Sequence, residues 1–254
     1  VYKDGRRIVD VWAGRLARDK DSAPVTGDTL FPIFSTGKTL LSTAVHRAVE
    51  QGKMDYGKPL CAWWPEFTGK GKEKLTLRET LGYRSGMNGG VPKGLTDRDM
   101  ADWEKTVAAA AAEDPEIEPG TVQRYMPYSY AWMLGHPLEV AMGKPLNEVL
   151  RELVLIPAGI ENDFEFASPE SSFPRLAEFS YSGGFCEIMN NDWARKACLP
   201  SAWSVSSARG LAKFYNRLCG FDGEAPLLKK ETLDEALKPC RWEDDPLPNA
   251  KRLN

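Results

Sequence analysis

The chain has 254 residues, of which 42% are apolar and 27% carry a charge, enough to build the core of one large domain or two small ones. The formal net charge is −3, and no long basic stretch occurs that would favour nucleic-acid binding. No run of about 18 apolar residues is present, so no membrane-spanning helix is predicted.

The first forty or so residues predict a hairpin, a loop and a helix. Residues 1–13 alternate between apolar and polar side chains around Asp4-Gly5, which is typical of a β-hairpin turn, and residues 18–29 are predicted as polar loop. A helix is predicted over 36–52 because apolar residues recur there at helical spacing. These residues are Leu40, Leu41, Ala44, Val45, Ala48 and Val49.

The middle of the chain predicts further helices. Residues 75–90 predict a short helix that runs into a glycine-rich turn. Thr96 and Asp99 have the spacing of a capping box, so we expect them to begin one helix that runs through the alanines of 108–112. Two more helices are predicted over 130–142 and 145–153, the second stopped by Ile156-Pro157.

The last third is predicted to be rich in loops over 162–192 and to end in an amphipathic helix over 206–220. Strands at the start followed by helices favour an α+β domain with an incomplete sheet. The chain begins at Val1, already inside the predicted hairpin, so we interpret it as a piece of a longer protein that forms one domain over 1–254, truncated at both ends.

The five cysteines are widely spaced and none forms a Cys-x-x-Cys pair. We therefore expect mostly buried free thiols in a reducing compartment, such as the cytoplasm or an organellar matrix. The two histidines are too few for a histidine-rich metal site. No metal or organic cofactor is predicted.

The stretch FPIFSTGKTL, residues 31–40, fits two kinds of site. Gly37-Lys38-Thr39 could end a phosphate-binding P-loop, but the glycine that opens such a loop would fall at Pro32. Proline has no N–H to offer a phosphate and cannot adopt the backbone angles of that glycine, so a P-loop NTPase is only a remote alternative.

The same stretch contains Ser35-x-x-Lys38, a possible nucleophile and base. Three residues apart on a helix, the two side chains lie on one face, and the helix N-terminus favours negative charge at Ser35. Lys38 is flanked by aromatic residues and could be desolvated enough to lose its proton. A short motif of this kind also arises by chance, and its ordinary explanation is a serine that caps a helix followed by a solvated lysine.

Other serine-hydrolase patterns are missing. Gly-x-Ser-x-Gly does not occur, which argues against an α/β-hydrolase nucleophile elbow. His46 lies off the apolar face of the predicted helix and His136 precedes Pro137, so both are interpreted as structural or solvent-facing. If a serine nucleophile operates, a lysine or tyrosine must therefore move the proton.

Six segments spread over most of the chain form a more specific pattern, including Trp-Pro-Glu-Phe at 64–67 and Pro119-Gly120. The segments are 1–14, 28–67, 75–87, 118–135, 150–162 and 203–218. In this order they resemble the serine β-lactamase superfamily, most closely its class C-like group, which includes family VIII carboxylesterases. The resemblance implies a β-lactamase/transpeptidase-like α+β fold, an antiparallel sheet with a helical lobe, in which the C-terminal part of the sheet is missing.

The resemblance also implies roles for three residues. Ser35 would be the nucleophile, Lys38 its partner, and Tyr125, five residues after Gly120, the tyrosine of the second family motif. Pro127 stands where that motif has an asparagine, a departure that favours ester over lactam hydrolysis. Tyr128 is the rival for the tyrosine role because it begins a similar-looking Tyr-Ser-Tyr.

The third family motif, Lys-Thr-Gly or His-x-Gly on an edge strand, does not follow residue 220. It would supply one oxyanion donor, so we expect the chain alone to be inactive or weak. The resemblance implies a serine hydrolase acting through an acyl-enzyme on a small carboxylic ester, or on a β-lactam or other amide. The alternative is a catalytically degenerate relative that binds or scaffolds.

Overall fold

The computed structural model of the chain describes residues 1–180 and 184–238. Its strands are β1 (Tyr2–Lys3), β2 (Arg6–Arg7), β3 (Phe31–Pro32), β4 (Phe164–Glu165) and β5 (Val205–Ser206). Its α-helices are α1 (Gly37–Glu50), α2 (Leu77–Leu81), α3 (Trp103–Ala112), α4 (Tyr130–Met142), α5 (Leu146–Leu150), α6 (Ile156–Ala158), α7 (Gly184–Met189), α8 (Asp192–Lys196), α9 (Ala208–Leu218) and α10 (Lys230–Ala236).

The predicted hairpin is confirmed, although its strands are short. β1 and β2 pair antiparallel, with Tyr2 opposite Arg7. Asp4 and Gly5 between them have φ of +49° and +76°, the left-handed pair that a two-residue hairpin turn needs. Residues 8–13, which were predicted to continue the hairpin, are not assigned to a strand.

A small antiparallel sheet leads into the first long helix. Its strand order is β3-β5-β4, so a strand from late in the chain lies between two earlier ones. Just beyond β3, the N–H of Ile33 donates to the carbonyl of Ser204 at 3.1 Å. The sheet thus fixes the point where the chain enters α1 and ties that point to the residues just before β5.

The core lies where α1 packs against α4, with α5 beside them. On α1 the apolar stripe predicted from the sequence is buried except for Val49, which is half-buried, and α4 buries residues 130–135, 137 and 138. Trp64, Trp132 and Trp203 are the largest side chains among the fully buried ones. Each buried side chain of this kind contributes roughly 1.5–3 kcal/mol of transfer free energy, so this packing holds the start of α1 in place.

One helix was predicted with the wrong start. Thr96 and Asp99 do form a capping box, but it caps a short 3₁₀ turn over Asp97–Ala101. Asp102 then takes an extended conformation, with φ −90° and ψ 101°, and its carboxylate accepts from the N–H of Lys105 to begin α3. A second cap directly after the first divides what the sequence suggested was one helix.

The predicted stop at Ile156-Pro157 is also wrong. After α5 the chain makes a π-helical turn over Arg151–Leu155, continues as α6 and ends at Gly159, whose φ is +64°. Proline is tolerated in the first turn of a helical segment because its missing N–H needs no partner there. Within 162–192, predicted to be rich in loops, the structure has β4, a 3₁₀ turn over Glu170–Arg175 and α7.

The cysteines were predicted to be mostly buried. Cys61 and Cys198 are half-buried and Cys219 is exposed, and all three are free thiols. The prediction is therefore wrong for Cys219, while the side chains of Cys186 and Cys240 lie outside the described residues. Among the described helices, none has both the length and the apolar character needed to cross a bilayer.

Candidate active site

Ser35 sits on a strained turn between β3 and α1. Phe34, the residue before it, has φ of +49°, a left-handed conformation that a bulky side chain rarely adopts. The Phe34 ring packs edge-on against Phe179, with the ring centroids 4.9 Å apart. Such strain concentrates at functional sites, and here it accompanies a turn at which Ser35 is exposed at the head of α1.

Lys38 lies one helical turn deeper and is only 4% exposed. Its Nζ is 2.9 Å from Ser35 Oγ, 2.8 Å from the carbonyl oxygen of Pro127 and 2.7 Å from that of Ser201. Burial lowers the pKa of Lys38 from 10.5 to about 8 because the charged form loses its hydration. The sequence therefore places a desolvated amine directly beneath the exposed hydroxyl.

Tyr125 reaches Ser35 from the opposite side. Its hydroxyl donates to Ser35 Oγ at 2.6 Å, and the side chain is 52% exposed. Lys38 Nζ lies 5.0 Å from the centre of the Tyr125 ring, within range of a cation–π interaction. The Tyr83 ring stacks between those of Tyr125 and Tyr130, with centroid distances of 5.4 and 4.8 Å, and this packing supports the Tyr125 ring.

Tyr128, the rival for the tyrosine role, has a different environment. Burial raises its pKa to about 12, and its carbonyl oxygen accepts a hydrogen bond from Ser201 Oγ at 2.8 Å. It is the hydroxyl of Tyr125, five residues after Gly120, that lies within hydrogen-bonding distance of Ser35.

Sequence reasoning missed two groups that hold the lysine. Pro127, which stands where the motif has an asparagine side chain, provides a backbone carbonyl to Lys38 instead, and Ser201 provides another. Backbone carbonyls leave no trace in residue type, so neither contact could be found from the sequence.

A cavity of about 430 Å³ opens beside Ser35 and runs along one face of α1. The residues that line it are Ser35, Lys38, Thr39, Ser42, His46, Tyr56, Arg78, Leu81, Tyr83, Tyr125, Tyr130, Glu235 and Ala236. Among the described residues, Tyr83 is the one lining residue from 82–103, and none from 162–192 lines the cavity.

The two histidines make other contacts. His46 bonds through Nδ1 to the hydroxyl of Tyr56 at 2.6 Å, and burial lowers its pKa to about 4. His136 packs against Trp64, with ring centroids 5.1 Å apart. Over 1–180 and 184–238, no group of three or more acidic, histidine or cysteine side chains is arranged to hold a metal ion.

Comparisons with related sequences, with solved structures and with a family model all indicate the same family. The chain is 29% identical to the esterase/beta-lactamase LipL of Mycobacterium tuberculosis over 91% of its own length, and 29% identical to the esterase EstB of Burkholderia gladioli over 67%. A family VIII carboxylesterase of known structure superposes with a TM-score of 0.85 at 27% identity, over 95% of this chain and 70% of that one.

These matches confirm the β-lactamase/transpeptidase-like α+β fold expected from the resemblance. The chain spans about half the length of the two curated relatives, 52% of LipL and 45% of EstB. The family model described as Beta-lactamase matches residues 1–252, and the chain therefore belongs to the beta-lactamase family.

Proposed function

We propose that this chain carries the acylation site of a serine hydrolase that cleaves small carboxylic esters through an acyl-enzyme on Ser35. The observation that carries the proposal is that Ser35 Oγ lies within hydrogen-bonding distance of both Lys38 Nζ, at 2.9 Å, and Tyr125 Oη, at 2.6 Å. A nucleophile in contact with two groups able to move protons is the arrangement that acyl transfer needs.

Lys38 is proposed as the base. Two of its three contacts are carbonyl oxygens, which can only accept, so Nζ must donate one hydrogen to each. A neutral amine has two hydrogens and one lone pair, and that lone pair is then left for the hydroxyl hydrogen of Ser35. With its pKa lowered to about 8, Lys38 is neutral in a useful fraction of molecules near pH 7 to 8.

Tyr125 is proposed as the acid at the solvent-facing side. Ser35 Oγ attacks the ester carbonyl while its proton passes to Lys38 Nζ. The bond from the carbonyl carbon to the alcohol oxygen then breaks as Tyr125 gives that oxygen its proton, and the nearby ammonium stabilises the phenolate. In the second half, water attacks the acyl-enzyme, Tyr125 takes a proton from it, and Lys38 returns its proton to Ser35 Oγ.

The proposed substrates are small esters, and a β-lactam or other amide is the second possibility. The cavity has room for a modest acyl or alcohol group, and its lining mixes tyrosines with the hydroxyls of Thr39 and Ser42. Of the two curated relatives above, one is named an esterase/beta-lactamase and the other an esterase, which supports the ester class first.

The test is covalent labelling. A fluorophosphonate probe should attach to Ser35, as located by peptide mass spectrometry, and Ser35→Ala should abolish attachment. Attachment to Ser85 or Ser129 instead would contradict the assignment. Turnover of p-nitrophenyl butyrate compared with that of a chromogenic cephalosporin then separates esterase from lactamase activity.

A further inference from the structure

Two separate segments supply the carbonyl oxygens that hold Lys38. Pro127 belongs to the segment between α3 and α4, and Ser201 to the turn before β5. A direct hydrogen bond joins these segments: Ser201 Oγ donates to the carbonyl oxygen of Tyr128 at 2.8 Å. Ser201 has 0% exposure, so the bond is shielded from competing water.

Ser201 therefore has two roles in one residue. Its backbone oxygen accepts a hydrogen bond from Lys38 Nζ at 2.7 Å. Its hydroxyl donates to the carbonyl of Tyr128, the residue next to Pro127, whose own carbonyl is the other acceptor for Lys38. The distance between the two carbonyl oxygens fixes where the amine hydrogens go, and hence where its lone pair points. A shift of either segment would change the direction of that lone pair relative to Ser35.

We propose that the Ser201 hydroxyl is a positioning group for acyl transfer, a clamp that keeps the Pro127 and Ser201 carbonyls at the spacing that aims Lys38 at Ser35. The inference rests on the proposed function and deepens it by adding a residue that does not touch the substrate. The neighbouring hydroxyl of Ser204 offers a comparison, since its hydrogen bond to Pro200 O is long, at 3.5 Å.

Loss of the clamp should change Lys38 in two ways. The lone pair of the amine points less directly at the Ser35 hydroxyl, so the reactivity of Ser35 falls even at a pH where Lys38 is fully neutral. The ammonium also loses part of its contact with a carbonyl, which stabilises the charged form more than the neutral one, so its titration moves to lower pH. The titratable groups that line the cavity around Lys38 come from several elements: Tyr83, Tyr125, Tyr130, His46, Tyr56, Arg78 and Glu235.

The experiment measures the rate of fluorophosphonate labelling of Ser35 from pH 6 to 10 in wild type, Ser201→Ala and Ser204→Ala. For Ser201→Ala we expect the high-pH plateau to fall about fivefold to tenfold, the effect of one lost hydrogen bond. We also expect the midpoint to move down by about half a pH unit. Ser204→Ala should keep both values, and thermal melting reports whether each variant is folded.

The outcomes separate the two proposals. No labelling of wild-type Ser35 would overturn the proposed function and the clamp together. Labelling of wild type with a midpoint in Ser201→Ala that stays unchanged or moves up would overturn the clamp alone, whatever happens to the plateau, because a general loss of packing would let water reach Lys38 and raise its pKa rather than lower it. If Ser201→Ala does not fold, Ser201→Cys keeps a weaker donor and should show the same two changes at smaller size.

Discussion

Lys38 is the residue on which the proposed chemistry depends most. An amine with its ordinary pKa is almost fully protonated at neutral pH and has no lone pair to offer. Burial at 4% exposure lowers the pKa to about 8, and the contacts with Pro127 and Ser201 account for two of its hydrogens. The same burial disfavours the charged form in the folded state, so activation of the nucleophile has a cost in stability.

The first prediction concerns the pH dependence of Ser35 labelling. Below the Lys38 pKa of about 8 the ammonium predominates, so the rate should rise about tenfold per pH unit from pH 6 to 7 and level off above pH 8. Lys38→Arg keeps the charge at every pH and should label slowly with no such rise. A flat wild-type profile would remove Lys38 from the role of base.

The second prediction separates Tyr125 from Tyr128. If Tyr125 protonates the departing alcohol, Tyr125→Phe should lower kcat/KM for ethyl butyrate by about 10²–10⁴. The loss should be much smaller for p-nitrophenyl butyrate, because nitrophenolate leaves without a proton. Tyr128→Phe removes the hydroxyl of the rival tyrosine and should change kcat/KM for each of the two esters less than tenfold. The same loss for both esters in Tyr125→Phe would argue against an acid role.

The site shows which residue-level features a sequence can reveal. Ser35, in the 3₁₀ turn over Phe34–Thr36, is three positions before Lys38 in the first turn of α1, so their closeness follows from local helical geometry. The approach of Tyr125 Oη to within 2.6 Å of Ser35 Oγ needs the tertiary fold, and it was expected only through the family resemblance. The carbonyls of Pro127 and Ser201 have no side-chain signature at all.

At the scale of elements, regular periodicity predicted well and irregular junctions did not. The helices predicted over 130–142 and 206–220 correspond to α4 and α9, because a continuous apolar stripe needs only the 3.6-residue repeat. The break after the 3₁₀ turn over Asp97–Ala101 comes from a second side-chain cap, at Asp102, directly after the first, and the π-turn over Arg151–Leu155 is a backbone hydrogen-bonding choice that side-chain polarity does not encode.

A buried lysine closes the end of α3, which gives the third prediction. Lys72 is 3% exposed, and its Nζ donates to the carbonyls of Ala111 and Glu113 at 2.6 and 2.8 Å. A positive charge there satisfies the last carbonyls of the helix and complements its dipole. Lys72→Met should lower the free energy of unfolding by about 1–3 kcal/mol in urea denaturation.

The matched control for this change is Lys74→Met. Lys74 is exposed and lies in the same 3₁₀ turn, Lys72–Lys74, so the free energy of unfolding of this variant should stay within about 0.5 kcal/mol of wild type. The rate of Ser35 labelling at low urea should be the same in both variants, since α3 does not line the cavity. Equal stability of the two variants would show that the Lys72 contacts contribute nothing net.

At the scale of the whole molecule, the site is a junction of three distant parts of the chain. Ser35 lies in the 3₁₀ turn that leads into α1 and Lys38 in the first turn of α1, Tyr125 comes from the segment before α4, and Ser201 comes from the turn before β5. Such a junction can form only if the backbones of the three parts approach one another closely. At Gly37 the backbone of α1 comes close to that of Pro200. A methyl group there would lie 2.2 Å from the carbonyl oxygen of Pro200.

The fourth prediction follows from this contact. Gly37→Ala forces α1 and the 200–204 turn apart, since a backbone carbonyl cannot rotate away as a flexible side chain would. Overpacking of this kind costs about 1–3 kcal/mol, and it should also draw the Ser201 carbonyl away from Lys38. We therefore expect a lower free energy of unfolding in urea together with slower Ser35 labelling, measured on the folded fraction.

Gly57→Ala is the matched control, because its new methyl group would meet only Asp55 Oδ1 at an ordinary 3.5 Å. It should leave both stability and labelling near wild type, within about 0.5 kcal/mol for the first. If Gly37→Ala lost stability but labelled Ser35 at the wild-type rate, the close approach would matter for folding alone. The alignment of Lys38 would then depend on the local structure of α1 rather than on how the three segments meet.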